Sequence, residues 1–121
     1  MHRMMFIALV VASAAVLAAC GGAAPTPFGD SVAGQAAFTS TCATCHGADA
    51  LGVTGLGKDL TTSQFLRDQT DEQMLAFLLA GRPSSDPLNT TGVDMPPKGG
   101  NPALTEDDLK NIVAYLRTIQ Q

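Results

Sequence analysis

One short run, Cys42-Ala43-Thr44-Cys45-His46, constrains this chain more than any other. A Cys-x-x-Cys-His run is the signature of covalent c-type haem attachment. On a helical turn, residues i and i+3 project to one side, so Cys42 and Cys45 can meet the two vinyl groups of one porphyrin. His46 then lies beneath the ring, where its imidazole can bind the iron. The run therefore predicts one covalent haem c, attached through thioethers to Cys42 and Cys45.

Three other kinds of site use closely spaced cysteines. A disulfide between Cys42 and Cys45 would leave His46 and the long loop after it unexplained. A thioredoxin-like redox pair needs a βαβ context, and the sequence shows no convincing strand. A zinc site needs four ligands, whereas the only other histidine, His2, lies in a segment that we expect to be cleaved. Haem is favoured, and a structural lipoprotein with a Cys42–Cys45 disulfide stays open as an alternative.

The sixth iron ligand has two candidates after the leader, Met74 and Met95. Met74 lies on the apolar face of a predicted helix, where packing is the expected role. Met95 lies in an irregular segment directly before Pro96-Pro97, and proline restricts the preceding residue to an extended conformation. Because this rigidity suits a ligand, we predict that Met95 binds the iron opposite His46, with Met74 in reserve.

The remainder of the chain carries helical patterns separated by connections rich in glycine and proline. We expect a first helix from Asp30 or Ser31 to about Thr44, with Val32, Ala36 and Phe38 as its apolar residues. We expect a short helix after Thr62 or Ser63 and a third helix from the Thr70–Gln73 capping box to Gly81. The last helix should be capped by Thr105. In the last helix, Leu109, Ile112, Val113 and Leu116 follow i, i+3, i+4, i+7 spacing. The irregular segment 82–103 needs something to hold it in place, which a buried prosthetic group would provide.

The first twenty residues carry a secretion signal. His2 and Arg3 precede an apolar run, Met4 to Ala19, that is shorter than the about 20 residues a membrane-spanning helix needs. The run ends at Leu17-Ala18-Ala19-Cys20-Gly21, which resembles the lipobox of bacterial lipoproteins, whose cysteine is acylated and becomes the new N-terminus. The alternatives are an ordinary signal peptide with an incidental cysteine and an uncleaved anchor helix.

These features divide the chain into a signal peptide (1–19), an acylated N-terminus with a flexible linker (20–29) and a haem domain (30–121). The linker reaches only roughly 30 Å when fully stretched. We therefore expect the protein to be lipid-anchored through Cys20 on the extracytoplasmic (periplasmic) side of a bacterial membrane. Its partners would be redox proteins in or on that membrane.

Charge and size narrow the functional classes further. The chain of 121 residues carries 11 acidic and 7 basic residues, for a net charge of −4, which argues against nucleic acid as a partner. Aromatic residues are few, with one tyrosine and no tryptophan. A domain this small with so little aromatic material usually needs a metal, a disulfide or a cofactor to be stable.

Residues 30–121 resemble the class I c-type cytochromes. Gly34 and Phe38 precede the haem-binding run at the family's spacing, and Met95-Pro96-Pro97 is similar to its axial-methionine loop. In the family, that glycine and aromatic pack on the C-terminal helix, where the matching residues are Ile112, Tyr115 and Leu116. The resemblance implies an all-α fold with several short helices and long loops wrapped around one haem. It also implies His/Met ligation and one exposed haem edge.

One segment departs from the family pattern. Many members have Gly-Pro-x-Leu after the haem-binding run, and the proline carbonyl orients the proximal histidine. Here the segment is Gly57-Lys58-Asp59-Leu60. A backbone carbonyl needs no proline ring, so the carbonyl of Lys58 can still accept the Nδ1 proton of His46.

The resemblance implies an electron carrier rather than an enzyme, because both axial positions of the iron are filled and no small-molecule substrate can reach it. With its short tether, the protein is expected to be a subunit or accessory of a respiratory or photosynthetic membrane complex. Its layout is similar to the mono-haem lipoprotein subunits of alternative complex III. Lys98, just after Met95, indicates a docking face of mixed charge. The alternative is a haem enzyme in which a labile Met95 opens the iron to peroxide or a small gas.

Overall fold

The computed structural model describes residues 27–121, so the predicted signal peptide, Cys20 and most of the linker lie outside the described part. The helices are α1 (Ser31–Thr41), α2 (Ala43–His46), α3 (Gln64–Asp68), α4 (Asp71–Ala80) and α5 (Glu106–Thr118), with a 3-10 turn at Pro97–Gly100. Within residues 27–121 there is no strand, only two isolated β-bridges. The predicted all-α architecture of several short helices joined by long loops is confirmed. None of the described helices is both long and apolar enough to cross a bilayer.

Side-chain caps set the starts of four helices. Asp30 caps α1, Ser63 caps α3, and Thr70 and Thr105 open α4 and α5 with complete capping boxes. Each cap satisfies backbone N–H groups that have no partner within the helix. The caps therefore lie where the sequence predicts them.

The end of the first helix was predicted wrongly. Helix α1 ends at Thr41 instead of Thr44, and a separate turn, α2, begins at Ala43. Cys42 joins them with helical dihedral angles, and its N–H still bonds the Phe38 carbonyl at 2.7 Å. The chain thus keeps its helical course through Cys42, so only the boundary moves.

The core forms mainly where α1 crosses α5. Gly34 lies against the backbone of Asn111, and the Phe38 and Tyr115 rings are 5.3 Å apart between centroids. This crossing confirms the packing that the resemblance implied. Val32, in contrast, is 77% exposed, because the contact uses only the narrow face of α1 that carries Gly34 and Phe38.

Helices α3 and α4 build the opposite side of the domain. Met74 and Leu78 of α4 are buried, whereas Leu79 faces outward. Arg117 of α5 donates hydrogen bonds to the carbonyls of Leu66 and Gln69 where α3 meets α4. A cavity remains between this unit and the α1–α2 segment.

Candidate functional site

Helix α2 carries the three residues of the predicted attachment site to one cavity. Cys42, Cys45 and His46 all line it, and so do Met74 and Met95. The remaining wall is mostly apolar side chains: Phe38, Leu56, Leu60, Phe65, Leu66, Phe77, Leu78, Leu88, Val93, Ile112 and Leu116. The structure therefore gathers all four predicted haem-contacting residues of the described chain around one space.

The lining of this cavity suits a large apolar cofactor. Cofactor pockets are lined mainly by apolar side chains with a few polar groups, as this cavity is. The residues present fit a haem, because the lining includes two thiols, an imidazole and the sulfur atoms of two methionines.

His46 is oriented by the backbone of the segment that departs from the family pattern. Its Nδ1 lies 2.8 Å from the carbonyl oxygen of Lys58, which accepts the Nδ1 proton. The contact agrees with the expectation that this carbonyl needs no proline ring. With Nδ1 engaged, Nε2 is the nitrogen left to bind a metal, and a hydrogen bond at the far nitrogen increases the basicity of such a ligand.

The two thiols are those of unpaired cysteines. Cys42 and Cys45 form no disulfide in this structure. Burial, with a smaller contribution from nearby Cys45, raises the pKa of the Cys42 thiol to about 11. A thiol held protonated at neutral pH is unlike the low-pKa cysteine of a thioredoxin-type redox pair. Within residues 27–121, no cluster of three or more His, Cys, Asp or Glu side chains is placed to hold a metal ion.

The segment around Met95 is held by its backbone. Its N–H donates to the carbonyl of Arg82 at 2.8 Å, and its carbonyl accepts from the Arg82 N–H at 2.7 Å. Met95 is half-buried and lines the cavity. Met74 lines it too but is only 2% exposed within the core. Both candidate methionines therefore face the site, and Met95 is the one on an irregular segment.

Lys98 is less available for docking than its position in the sequence indicates. Its Nζ donates to the Leu104 carbonyl at 2.8 Å, and its backbone has a φ of +55°. The ammonium therefore ties the chain after Met95 to the start of α5. Part of its charge is satisfied inside the fold.

Two features of the cavity wall were missed in the sequence. Arg82 lies two residues after the end of α4 and lines the cavity. The loop 83–94 forms another part of the wall. The Asn89 side chain holds this loop together, because its Nδ2 donates to the Pro83 and Val93 carbonyls and its Oδ1 accepts from the Thr91 and Gly92 N–H groups. The run Ser84-Ser85-Asp86-Pro87 does signal turns, but no local pattern indicates that these turns fold over a cavity.

Comparison with known proteins adds three findings. The family model described as cytochrome c matches residues 31–120. Cytochrome c-555 of Chlorobaculum thiosulfatiphilum is 32% identical over 87 residues, an alignment covering 72% of this chain and 93% of that protein. The cbb3-type cytochrome c oxidase subunit CcoP of Rubrivivax gelatinosus is 29% identical over 86 residues, or 71% of this chain but only 25% of that protein.

A solved structure supports the fold. Cytochrome cL from Hyphomicrobium denitrificans superimposes with a TM-score of 0.56 at 21% identity. The match covers 78% of this chain and 52% of that one, so the chain spans about half the length of the solved structure. At this identity the likeness concerns the fold alone.

Proposed function

Because this chain belongs to the cytochrome c family and is an electron carrier with one haem bound covalently to Cys42 and Cys45, we propose that it works as a lipid-anchored member of a membrane redox complex. When bound, haem supplies a one-electron couple at its iron. A curated relative matched along most of its own length is a cytochrome c-555. The chain is accordingly an electron-transfer protein and not an enzyme.

We assign His46 and Met95 as the axial ligands. The observation that supports this assignment is the hydrogen bond from His46 Nδ1 to the Lys58 carbonyl, which leaves Nε2 as the ring nitrogen available to bind the iron. Met95 is supported by its position on the same cavity and by its two backbone hydrogen bonds to Arg82. A methionine on an anchored irregular segment can reach a metal without distorting a helix. Met74, in contrast, is packed within the core.

Absorption spectra of the protein, expressed with the c-haem maturation machinery, test the ligands. The reduced protein should give a c-type spectrum, and the oxidised protein should show the weak long-wavelength sulfur-to-iron band. Met95→Ala should abolish that band. Met74→Ala should keep it while lowering the free energy of unfolding by about 2–5 kcal/mol, because it opens a cavity in the core. Loss of the band in Met74→Ala alone would reverse the assignment.

The membrane attachment rests on Cys20 and the short linker 20–29. A reach of roughly 30 Å confines the haem domain to partners in or on the same membrane. CcoP, to which this chain is similar over a quarter of that protein's length, is by name a subunit of an oxidase. The similar part of CcoP therefore offers a precedent for a domain of this kind in a subunit of a complex. The mono-haem lipoprotein subunit of alternative complex III, whose layout is similar, offers a second precedent.

Fractionation tests the anchor and the complex separately. Wild-type protein should sediment with membranes, and Cys20→Ser should release it to the soluble extracytoplasmic fraction if the export signal still works. Native purification in mild detergent should bring down membrane redox subunits with the wild-type protein. A cytochrome that purifies alone would contradict complex membership, and a Cys20→Ser variant still in the membrane would contradict the lipid anchor.

A further inference from the structure

Lys98 holds a backbone conformation that a residue with a side chain rarely adopts. Its φ is +55° and its ψ is 28°, in the left-handed region, and the next residue, Gly99, is left-handed too. Glycine adopts this conformation readily, whereas a Cβ makes it unfavourable. Within residues 27–121, only Ala50 and Lys98 have a positive φ without being glycine. A residue kept in such a conformation indicates that its side chain has a role.

The Lys98 side chain joins the 3-10 turn after Met95 to the start of α5. Its Nζ donates to the Leu104 carbonyl at 2.8 Å and to the Pro102 carbonyl at 3.4 Å. Leu104 is buried in the core and directly precedes the Thr105 cap, so this end of the connection is fixed. Hydrogen bonds from a charged donor are stronger than those between neutral groups.

The same turn also contacts the end of α1 beside the haem-attachment run. Asn101 Nδ2 donates to Thr41 Oγ1 at 3.4 Å, and Asn101 Oδ1 accepts from the Ala103 N–H at 3.1 Å. A Cβ built on Gly99 would lie 3.2 Å from Thr41 Cγ2 and 3.9 Å from Cys42 Sγ. The turn is therefore packed close to one of the two attachment cysteines.

Met95 lies between two anchored parts of the chain. On one side, its own backbone N–H and carbonyl bond Arg82. On the other side, Pro96 and Pro97 separate it from the turn, and proline fixes φ, so the connection has little freedom. A displacement of the turn is therefore transmitted to Met95. Of the two anchors, the one formed by Lys98 depends on a side chain.

We propose that Lys98 is a positioning residue that keeps Met95 on the iron and so excludes competing ligands. This inference rests on the proposed function, because it requires haem and ligation by Met95. A methionine that leaves the iron has to carry its segment with it, and the hydrogen bonds of Lys98 oppose that movement. Without them the open state is more populated, and its population sets the apparent affinity of a competing ligand.

Binding of imidazole to the oxidised holoprotein tests the inference, because imidazole binds only iron that Met95 has left. Lys98→Leu removes the ammonium group, so the apparent dissociation constant, measured from the loss of the sulfur-to-iron band, should fall about tenfold. This is the size expected for losing one hydrogen bond from a charged donor. Lys98→Arg keeps the charge and the donors and should retain an affinity close to that of the wild type. Lys110→Leu is the matched control, since Lys110 pairs with Glu106 and Asp107 on α5.

Lys98→Gly separates the side chain from the strain of its backbone. Glycine relieves the left-handed conformation but has no ammonium group, so this variant should also bind imidazole about tenfold more tightly than the wild type. Wild-type affinity in haem-loaded Lys98→Gly, or an equal increase in Lys110→Leu, would overturn the inference. Haem content and the sulfur-to-iron band without imidazole separate this failure from failure of the proposed function. Wild-type protein that lacks the haem or the band would overturn both.

Discussion

At the residue scale, the orientation of His46 depends on a close approach of two backbone segments. The Lys58 carbonyl can reach Nδ1 because Gly57, beside it, has no side chain. A Cβ built on Gly57 would overlap the Cys45 carbonyl and lie 3.2 Å from His46 Nδ1. Glycine is therefore required at position 57 because a side chain would not fit. Its backbone conformation is not the reason, since the φ of Gly57 is not positive.

Gly57→Ala should weaken the hydrogen bond from His46 to the Lys58 carbonyl. A less basic imidazole stabilises oxidised iron less, so the midpoint potential should rise. Gly55→Ala is the control, because a Cβ at Gly55 meets nothing within 4 Å although its φ is +74°. That variant should lose about 1 kcal/mol of stability from backbone strain and keep its potential. Equal potentials in the two variants would contradict the role given to Gly57.

At the element scale, α1 and α5 cross closely enough that their backbones touch. An ideal Cβ on Gly34 would overlap the carbonyl of Asn111, which is backbone and cannot move aside as a side chain can. The Asn111 side chain also accepts a hydrogen bond from the Asp30 N–H at 2.8 Å, at the start of α1. The crossing therefore fixes both the separation of the two helices and their relative position.

Gly34→Ala should lower the free energy of unfolding by about 2 kcal/mol, because overpacking outweighs the gain of about 1 kcal/mol in helix propensity. Chemical denaturation of the holoprotein measures this change. Gln35→Ala, at the exposed neighbouring position of the same helix, should change stability by less than about 0.5 kcal/mol. A more stable Gly34→Ala protein would show that the helices can separate without loss.

At the scale of the whole molecule, Arg117 connects the C-terminal helix to the α3–α4 unit. Its Nε lies 2.8 Å from the Asp71 carboxylate, and its other nitrogens donate to the carbonyls of Leu66 and Gln69. Because α5 also packs on α1, this one side chain links both sides of the cavity. The Arg117 side chain is 28% exposed, so solvent screens part of the ion pair.

Arg117→Gln should lower the free energy of unfolding by about 2–4 kcal/mol, since it removes an ion pair and leaves carbonyl groups without donors. Asp71→Asn should cost less than about 1 kcal/mol, because both carbonyl contacts remain. Thermal or denaturant unfolding of the holoprotein checks the order of the two losses. Equal losses would mean that the ion pair, and not the carbonyl contacts, holds α5 in place.

The features that the sequence by itself determined depend on neighbours within one or two turns of the chain. The Cys42-to-His46 run indicates haem, and Thr70 and Thr105 predict where helices begin, because capping and i, i+3 geometry act locally. Even there, the end of α1 was misplaced, since helix ends depend weakly on local sequence.

Only the tertiary structure decided which distant groups meet. It brought the Lys58 carbonyl to His46, stacked Arg82 on Phe65, and folded the loop 83–94 over the cavity. Residue types and spacing do not specify these contacts, because they depend on the path of glycine- and proline-rich loops that lack periodicity. Such loops take their shape from what they pack against, so their part in the site emerges only when the whole chain is folded.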